Sequence, residues 1–150
     1  MSGHDTEKLS LTVSVASTGG IRLPAKPGDV GMDLVTKEDT TIMPGERCLV
    51  WSGTKVEFPP SMWGLLLPRS SANLRKDIIV LPGVIDTGYR GELGALVMSV
   101  SDVPVVIQQG ERLVQLILIP AVYVGHFDTS DELEDTERGS DGFGSSGTVD

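Results

Sequence analysis

What most limits the fold of this chain is how often its apolar runs are interrupted. Short runs over 47–51, 62–67, 78–81, 93–100, 103–107 and 113–119 are separated by Pro44-Gly45, Pro59-Pro60, Pro82-Gly83 and Gly110. Val, Ile, Leu and Thr dominate, and no segment sustains a 3.6-residue period, so long helices are excluded. At most, residues 71–76 can make a short helical turn. Residues 9–15 alternate strictly, with Leu9, Leu11, Val13 and Val15 on one side and Ser10, Thr12 and Ser14 on the other. Period two predicts a half-buried strand. With 18 Gly and 9 Pro in 150 residues to supply turns, the pattern predicts an all-β sandwich, jelly roll or barrel. The length suits one domain with a core of its own.

Charge narrows the partners. The formal net charge is −9. A protein that tracks nucleic-acid phosphates needs a basic patch, so no polymeric DNA or RNA is expected. A few placed arginines can still bind one small anion inside an acidic protein. The single cysteine, Cys48, lies in the run Cys48-Leu49-Val50-Trp51 and reads as a small core residue. The polar start over Met1 to Lys8 is followed by no apolar leader. No run approaches the roughly 18 apolar residues that span a membrane. The expected setting is intracellular, cytoplasmic or nuclear, with no membrane contact.

Composition shifts at the C-terminus. Residues 128–137 hold six acids and no base, followed by Arg138-Gly-Ser-Asp-Gly-Phe-Gly-Ser-Ser-Gly147. Such a segment cannot build a core and predicts a solvated arm over 128–150, flexible beside a β-barrel over 1–127. Within it, Phe143 is a lone aromatic five residues after Arg138. A linker does not need that pair, whereas a lid closing on an anionic, aromatic ligand does.

Four further segments carry polar residues where a purely structural strand would not. Pro27-Gly-Asp-Val-Gly-Met-Asp33-Leu34 is a glycine-rich turn placing Asp33 at a strand entry, a position where turn chemistry alone also accepts Asp. Leu67-Pro-Arg69-Ser70-Ser71-Ala72 sets a forked donor before two hydroxyls and a short helical start. That is either a phosphate cradle or a polar loop. In Pro82-Gly83-Val84-Ile85-Asp86-Thr87-Gly88-Tyr89-Arg90-Gly91-Glu92, a carboxylate and an aromatic flank a tight β-hairpin turn. Asp86 there can orient or deprotonate a water, and the ring of Tyr89 can pack on a sugar. In Gly110-Glu111-Arg112-Leu113-Val114-Gln115-Leu116-Ile117, Gln115 is an amide inside an apolar strand. It needs a partner from a ligand or another subunit.

All five segments, in this order and at these intervals, resemble the five signature motifs of the trimeric dUTPase family over roughly residues 20–147. Arg69-Ser-Ser-Ala-Asn-Leu and Leu81-Pro-Gly-Val-Ile-Asp are most similar to its viral and eukaryotic branches. The resemblance implies a distorted jelly-roll β-barrel with a flexible C-terminal arm. It implies a homotrimer with shared active sites, each taking the first, second and fourth motifs from one subunit, the third from a neighbour and the arm from the third subunit. It further implies a dUTP diphosphatase that cleaves dUTP to dUMP and pyrophosphate, keeping uracil out of DNA and supplying dUMP for dTMP synthesis.

The same resemblance assigns roles. Asp86 positions and activates the water that attacks the α-phosphorus and meets the 3′-hydroxyl. Tyr89 packs under the deoxyribose and excludes a 2′-hydroxyl. Main-chain groups of Gly83, Val84 and Ile85, with Gly94 on the return strand, pair with uracil. Arg69, Ser70, Ser71 and Gln115 hold the α- and β-phosphates. Arg138, Gly144, Ser145 and Ser146 close on the γ-phosphate, and Phe143 stacks on the base. The cofactor is Mg²⁺, carried by the triphosphate and met by Asp33 through water, as suits a metal that dehydrates reluctantly.

The chain departs from the family pattern at three places. Ser71 and Asp141 stand where glycine is usual, and Val80 where several relatives have Asn. Two rival readings follow from the same fold. A dCTP deaminase needs a glutamate base ten residues after the Ile-Asp aspartate, where this chain has Leu96. A catalytically idle domain used for protein contacts would not need the complete set of reactive side chains found here.

Overall fold

The computed structural model describes residues 12–17, 20–24 and 26–142. They form eleven strands and one helical turn. A four-stranded sheet has the order β1 (Ser14–Ser17), β5 (Arg47–Glu57), β9 (Leu93–Ser99), β7 (Ile78–Leu81). A five-stranded sheet runs β2 (Ile21–Arg22), β3 (Met32–Leu34), β11 (Val114–Pro120), β6 (Met62–Pro68), β8 (Gly83–Ile85). β4 (Thr40–Ile42) and β10 (Val105–Ile107) pair alone, and all these ladders are antiparallel. The result is the all-β, jelly-roll type of barrel that the sequence implied. Among the described residues no helix is long and apolar enough to cross a membrane.

Strand alternation builds the core. β9 buries Leu93, Ala95, Val97 and Ser99 and turns Gly94, Leu96 and Met98 outward. β5 buries Val50, Ser52, Thr54 and Val56 against them. Leu66, Ile107, Val114 and Leu116 close the core from the other sheets. The two buried hydroxyls of β5 do not go unpaired. Ser52 donates to the Leu93 carbonyl at 2.7 Å, and Thr54 meets Ser17 Oγ at 2.9 Å. Cys48 is half-buried and packs on this core, and burial pushes its thiol pKa up. A thiol so shifted is a poor nucleophile, as its apolar run suggested.

The expected strand over 9–15 is partly recovered. β1 begins at Ser14 and Val13 packs on the core, but all four β1 residues, Val15 among them, are exposed rather than half-buried, and 9–11 lie outside the described residues. The helical turn, α1, spans Ser70–Asn73, at the near edge of the stretch proposed for it. The glycine-rich 83–92 segment is not a simple hairpin. It turns as expected, with the Tyr89 N–H donating to the Asp86 carbonyl at 3.0 Å, but β8 joins one sheet and β9 the other. The turn therefore bridges the two sheets at the barrel rim. After Pro120 the described chain has no helix or strand up to Gly142, and nearly all of it is exposed.

Candidate active site

The register of the five-stranded sheet sets two candidate site residues in one row. Asp33 on β3 pairs with Gln115 on β11, which pairs with Leu67 on β6. Two residues beyond Leu67 the chain leaves the sheet as Arg69 and enters α1. The Arg69 N–H donates to the Leu113 carbonyl at 2.9 Å, which fixes this exit against β11. Around the row lies an open cleft of about 610 Å³. Asp33, Arg69, Ser70, Arg112 and Gln115 line it together with the 28–31 loop.

Charge is concentrated there. Asp33 Oδ1 is 2.9 Å from Arg69 Nε, and Asp33 Oδ2 is 3.1 Å from Arg112 Nη1. One carboxylate thus holds two guanidinium groups at the mouth of the cleft. Asp29 lines the cleft as well, so two arginines and two aspartates gather there in a chain whose total is −9. Arg69 Nη1 also reaches Ser71 Oγ and the Arg112 carbonyl, each at 3.4 Å, so both arginines belong to one network. A forked cation of fixed orientation is well suited to phosphate oxygens. Arg112 was not assigned a role from the sequence. The signal was a second arginine at a strand entry within the fourth segment, but only the fold reveals that Asp33 unites the two.

Gln115 faces the cleft, outward from the core, with Nε2 donating to the Pro68 carbonyl at 3.4 Å. Gly31 explains how it fits. A Cβ at position 31 would collide with the Gln115 side-chain oxygen. Gly31→Ala is therefore expected to push the amide out of the cleft. Assayed against its own melting point, the variant should raise the substrate KM about tenfold while remaining folded, since one charge-assisted hydrogen bond is worth about 1.5 kcal/mol or more. An unchanged KM would remove Gln115 from the site.

A second ionic cluster braces the loops. Arg75 makes a two-point contact with Asp77 and reaches Glu111 Oε2 at 2.9 Å. This ties the segment after α1 to the 108–111 turn that precedes Arg112. The bond from Arg75 holds the Asp77 carboxyl below its ordinary range, and Arg75 itself is raised by that bond.

Asp86 lies elsewhere. β8 pairs with β6 so that Ile85 faces Gly64, five residues before Arg69, which is about 16 Å along the strand at roughly 3.3 Å per residue. Asp86 is exposed beside a separate cleft of about 400 Å³ lined by Trp63, Val84, Thr87, Gly88 and Tyr123. Tyr89 completes the turn. Its ring folds over Gly91, where any Cβ would strike it, and its hydroxyl donates to the Glu92 carbonyl at 3.1 Å. Glu92 is in turn anchored by Lys37, at 2.9 Å, and by the Gly53 N–H at 2.7 Å. The Lys37 contact, helped by that N–H, keeps the Glu92 carboxyl below its usual range. Gly94 sits on β9 opposite Trp51.

One chain thus gathers Asp33, Arg69, Ser70 and Gln115 into one cleft and places Asp86 away from it. Ser71 stands in α1 beside that cleft, within reach of Arg69. Arg138 lines neither cleft. Its Nε donates to the Asp141 carbonyl at 3.0 Å in an exposed turn. Phe143, Gly144, Ser145 and Ser146 lie outside the described residues. Leu96, the position a deaminase base would occupy, sits in register between Leu49 and Leu81 on the outer sheet face.

The dUTPase family model matches residues 18–147, from before the 28–31 loop through the arm. The chain belongs to the dUTPase family. Among its relatives, the deoxyuridine 5′-triphosphate nucleotidohydrolase of Cutibacterium acnes is 39% identical over 82% of each chain. The enzyme of the same name from Methylocella silvestris is 43% identical over 96% of this chain and 95% of its own. The Staphylococcus bacteriophage 80alpha dUTPase, solved with dUPNHPP, superposes with a TM-score of 0.80. It is 26% identical and covers 93% of this chain and all of that one.

Proposed function

We propose that this dUTPase-family chain hydrolyses dUTP to dUMP and pyrophosphate. That reaction limits uracil incorporation into DNA and supplies dUMP for dTMP synthesis. The observation that carries the reading is the Arg69–Asp33–Arg112 network facing a polar cleft with Ser70 and Gln115. It is a preorganised receptor for a polyphosphate, and its charge needs no reorganisation when negative charge builds up in the transition state.

In this reading the cleft holds the α- and β-phosphates. Asp86 accepts the proton of a water whose oxygen attacks the α-phosphorus, and the bond from that phosphorus to the bridging oxygen breaks, releasing pyrophosphate. Gly83, Val84 and Ile85 offer main-chain groups to uracil, with Gly94 at the facing edge. Tyr89, fixed over Gly91, forms the wall that a 2′-hydroxyl would strike. Arg138, Phe143 and residues 144–146 close the site as part of the 128–150 arm, with 1–127 as the barrel unit.

The reading takes Mg²⁺ as cofactor. The chain's donors suit a metal brought in by the triphosphate. Among the described residues no three His, Cys, Asp or Glu side chains cluster as a cage, and both Asp33 oxygens already face arginines. A carboxylate so engaged still has lone pairs for a metal-bound water. When bound, the ion neutralises phosphate charge and fixes the chain's geometry.

A homotrimer is part of the same proposal. Ile85, the residue before Asp86, lies about 16 Å along β6 from Arg69 of its own chain, so a complete site needs a neighbour's turn. The outer faces of both sheets are apolar enough to be covered. Leu49 and Ile79 are 45% and 46% exposed beside Leu96, Met98 and Leu81, and Val84 is 66% exposed beside Leu65. Contiguous apolar surface of this kind marks a protein interface.

Pyrophosphate release with Mg²⁺ across dUTP, dTTP, dCTP and UTP tests the assignment. dUTP should win by about 10²-fold or more, because a site that pairs with polar edges rejects analogues strongly. Comparable turnover of dTTP would refute the uracil pocket, and ammonia from dCTP would point to the deaminase chemistry that Leu96 argues against.

A further inference from the structure

The turn that carries Asp86 is clamped from a direction the proposed reaction does not explain. Thr87, the next residue, donates its hydroxyl to the Met62 carbonyl at 2.7 Å. The same oxygen lies 2.9 Å from Tyr123 Oη, and Tyr123 Oη lies 2.9 Å from the Pro60 carbonyl. The backbone runs alongside, because the Ala121 N–H donates to the Ser61 carbonyl at 2.8 Å. Three segments therefore meet at one point: the 59–62 turn before β6, the Asp86–Tyr89 turn, and the first residues after β11.

We propose that Tyr123 is a positioning residue for Asp86, holding the Thr87 hydroxyl so that the adjacent carboxylate stays aimed at its water. The proposal rests on the reading of Asp86 as the base. Asp86 itself is exposed, and its carboxylate makes no hydrogen bond or ion pair among the described residues. Its aim must come from the backbone on either side. Ile85 supplies one side through the β8–β6 ladder. Thr87 supplies the other, and Tyr123 is the only side chain that meets its hydroxyl among the described residues. A catalytic group has to be held within about 0.5 Å of its working position, which one strand end does not ensure.

The hydroxyl network has a particular weakness. Two hydroxyl protons serve three oxygen–oxygen contacts, so one contact is always without a proton of its own. Removing the Tyr123 hydroxyl thus leaves Thr87 donating to Met62 and Ala121 donating to Ser61. The fold keeps those two bonds and loses the Tyr123 contacts with Pro60 and Thr87, and with them the lateral restraint on the turn. Tyr123 is 68% exposed, which fits a part in aim rather than in core stability.

The test is Tyr123→Phe in the full chain, with kcat, KM for dUTP and the melting point measured together. kcat should fall on the order of three- to tenfold, the worth of one neutral hydrogen bond expressed at the barrier. KM and melting point should hold. Thr87→Ser should keep wild-type kcat and Thr87→Val should lose it. The double variant Tyr123→Phe/Thr87→Val should be no slower than Thr87→Val alone, as expected when two groups act through one contact. Wild-type kcat in Tyr123→Phe would overturn the proposal, as would a fall in melting point with kcat intact or a double variant slower by the product of both losses. Asp86→Asn run alongside separates the two levels. If it is inactive while Tyr123→Phe is fully active, the positioning role fails alone. If Asp86→Asn is active, the reading of Asp86 fails and the positioning role with it.

Discussion

Asp86→Asn is expected to yield a folded protein that binds dUTP with Mg²⁺ and turns it over about 10²–10⁴-fold more slowly, the usual loss when a general base is removed. The amide matches the carboxylate in size but cannot take a proton from water. Asp86 is exposed on a rim turn, and its carboxylate has no partner among the described residues. The substitution therefore breaks no contact that folding depends on, and the melting point should stay at the wild-type value. The Tyr89 N–H bond to the Asp86 carbonyl involves backbone only and survives. Affinity should be nearly unchanged, because in the proposed site Arg69, Arg112 and Gln115 hold the phosphates elsewhere. Calorimetry with a non-hydrolysable dUTP analogue, set beside kcat, separates binding from chemistry. A near-normal kcat would remove Asp86 from the mechanism. A large loss of affinity would show that its carboxylate chiefly binds the sugar.

How much of this was legible beforehand depended on how local each signal was. β6, β7, β9 and β11 were legible because each is a short apolar run bounded by turn residues, which marks a strand without showing which of its faces is buried. β2, β3, β4 and β8 span two or three residues each, too few to show a period, and they exist because neighbouring strands pair with them. Reading 83–92 as one hairpin missed a tertiary fact. Leu93 belongs to the register of β5, and that draws the return strand into the other sheet. The same limit applies to the site. Asp33, Arg69 and Gln115 each stood out from their own surroundings. The bond from Asp33 to Arg112 joins positions 79 apart and has no local signature. Thr87 and Tyr123 were passed over for the same reason. A threonine in a turn and a tyrosine after a strand are ordinary until the fold sets their hydroxyls 2.9 Å apart.

Co-expressing Asp86→Asn with Arg69→Ala should create activity that neither variant has alone. Arg69→Ala removes a guanidinium from the phosphate cleft and frees Asp33 Oδ1 from its partner. Loss of one charge-assisted contact, about 1.5–3 kcal/mol, should lower kcat/KM by roughly ten- to a hundredfold. Each parent trimer is then defective at all its sites. In a mixed trimer, a site that draws its cleft from an Asp86→Asn subunit and its turn from an Arg69→Ala subunit has both parts intact. With random assembly from equal amounts, each choice is made half the time, so about one quarter of the sites should work in a closed ring of three. The expected result is about a quarter of wild-type turnover, carried by a species with the mass of three chains. The prediction follows from β6, whose register puts Ile85, the residue before Asp86, opposite Gly64 and the cleft at the far end of the strand. If each chain instead folded its own Asp86 over its own cleft, every site in the mixture would carry one defect. Turnover would then equal the mean of the two parents, and the shared-site assembly would be wrong.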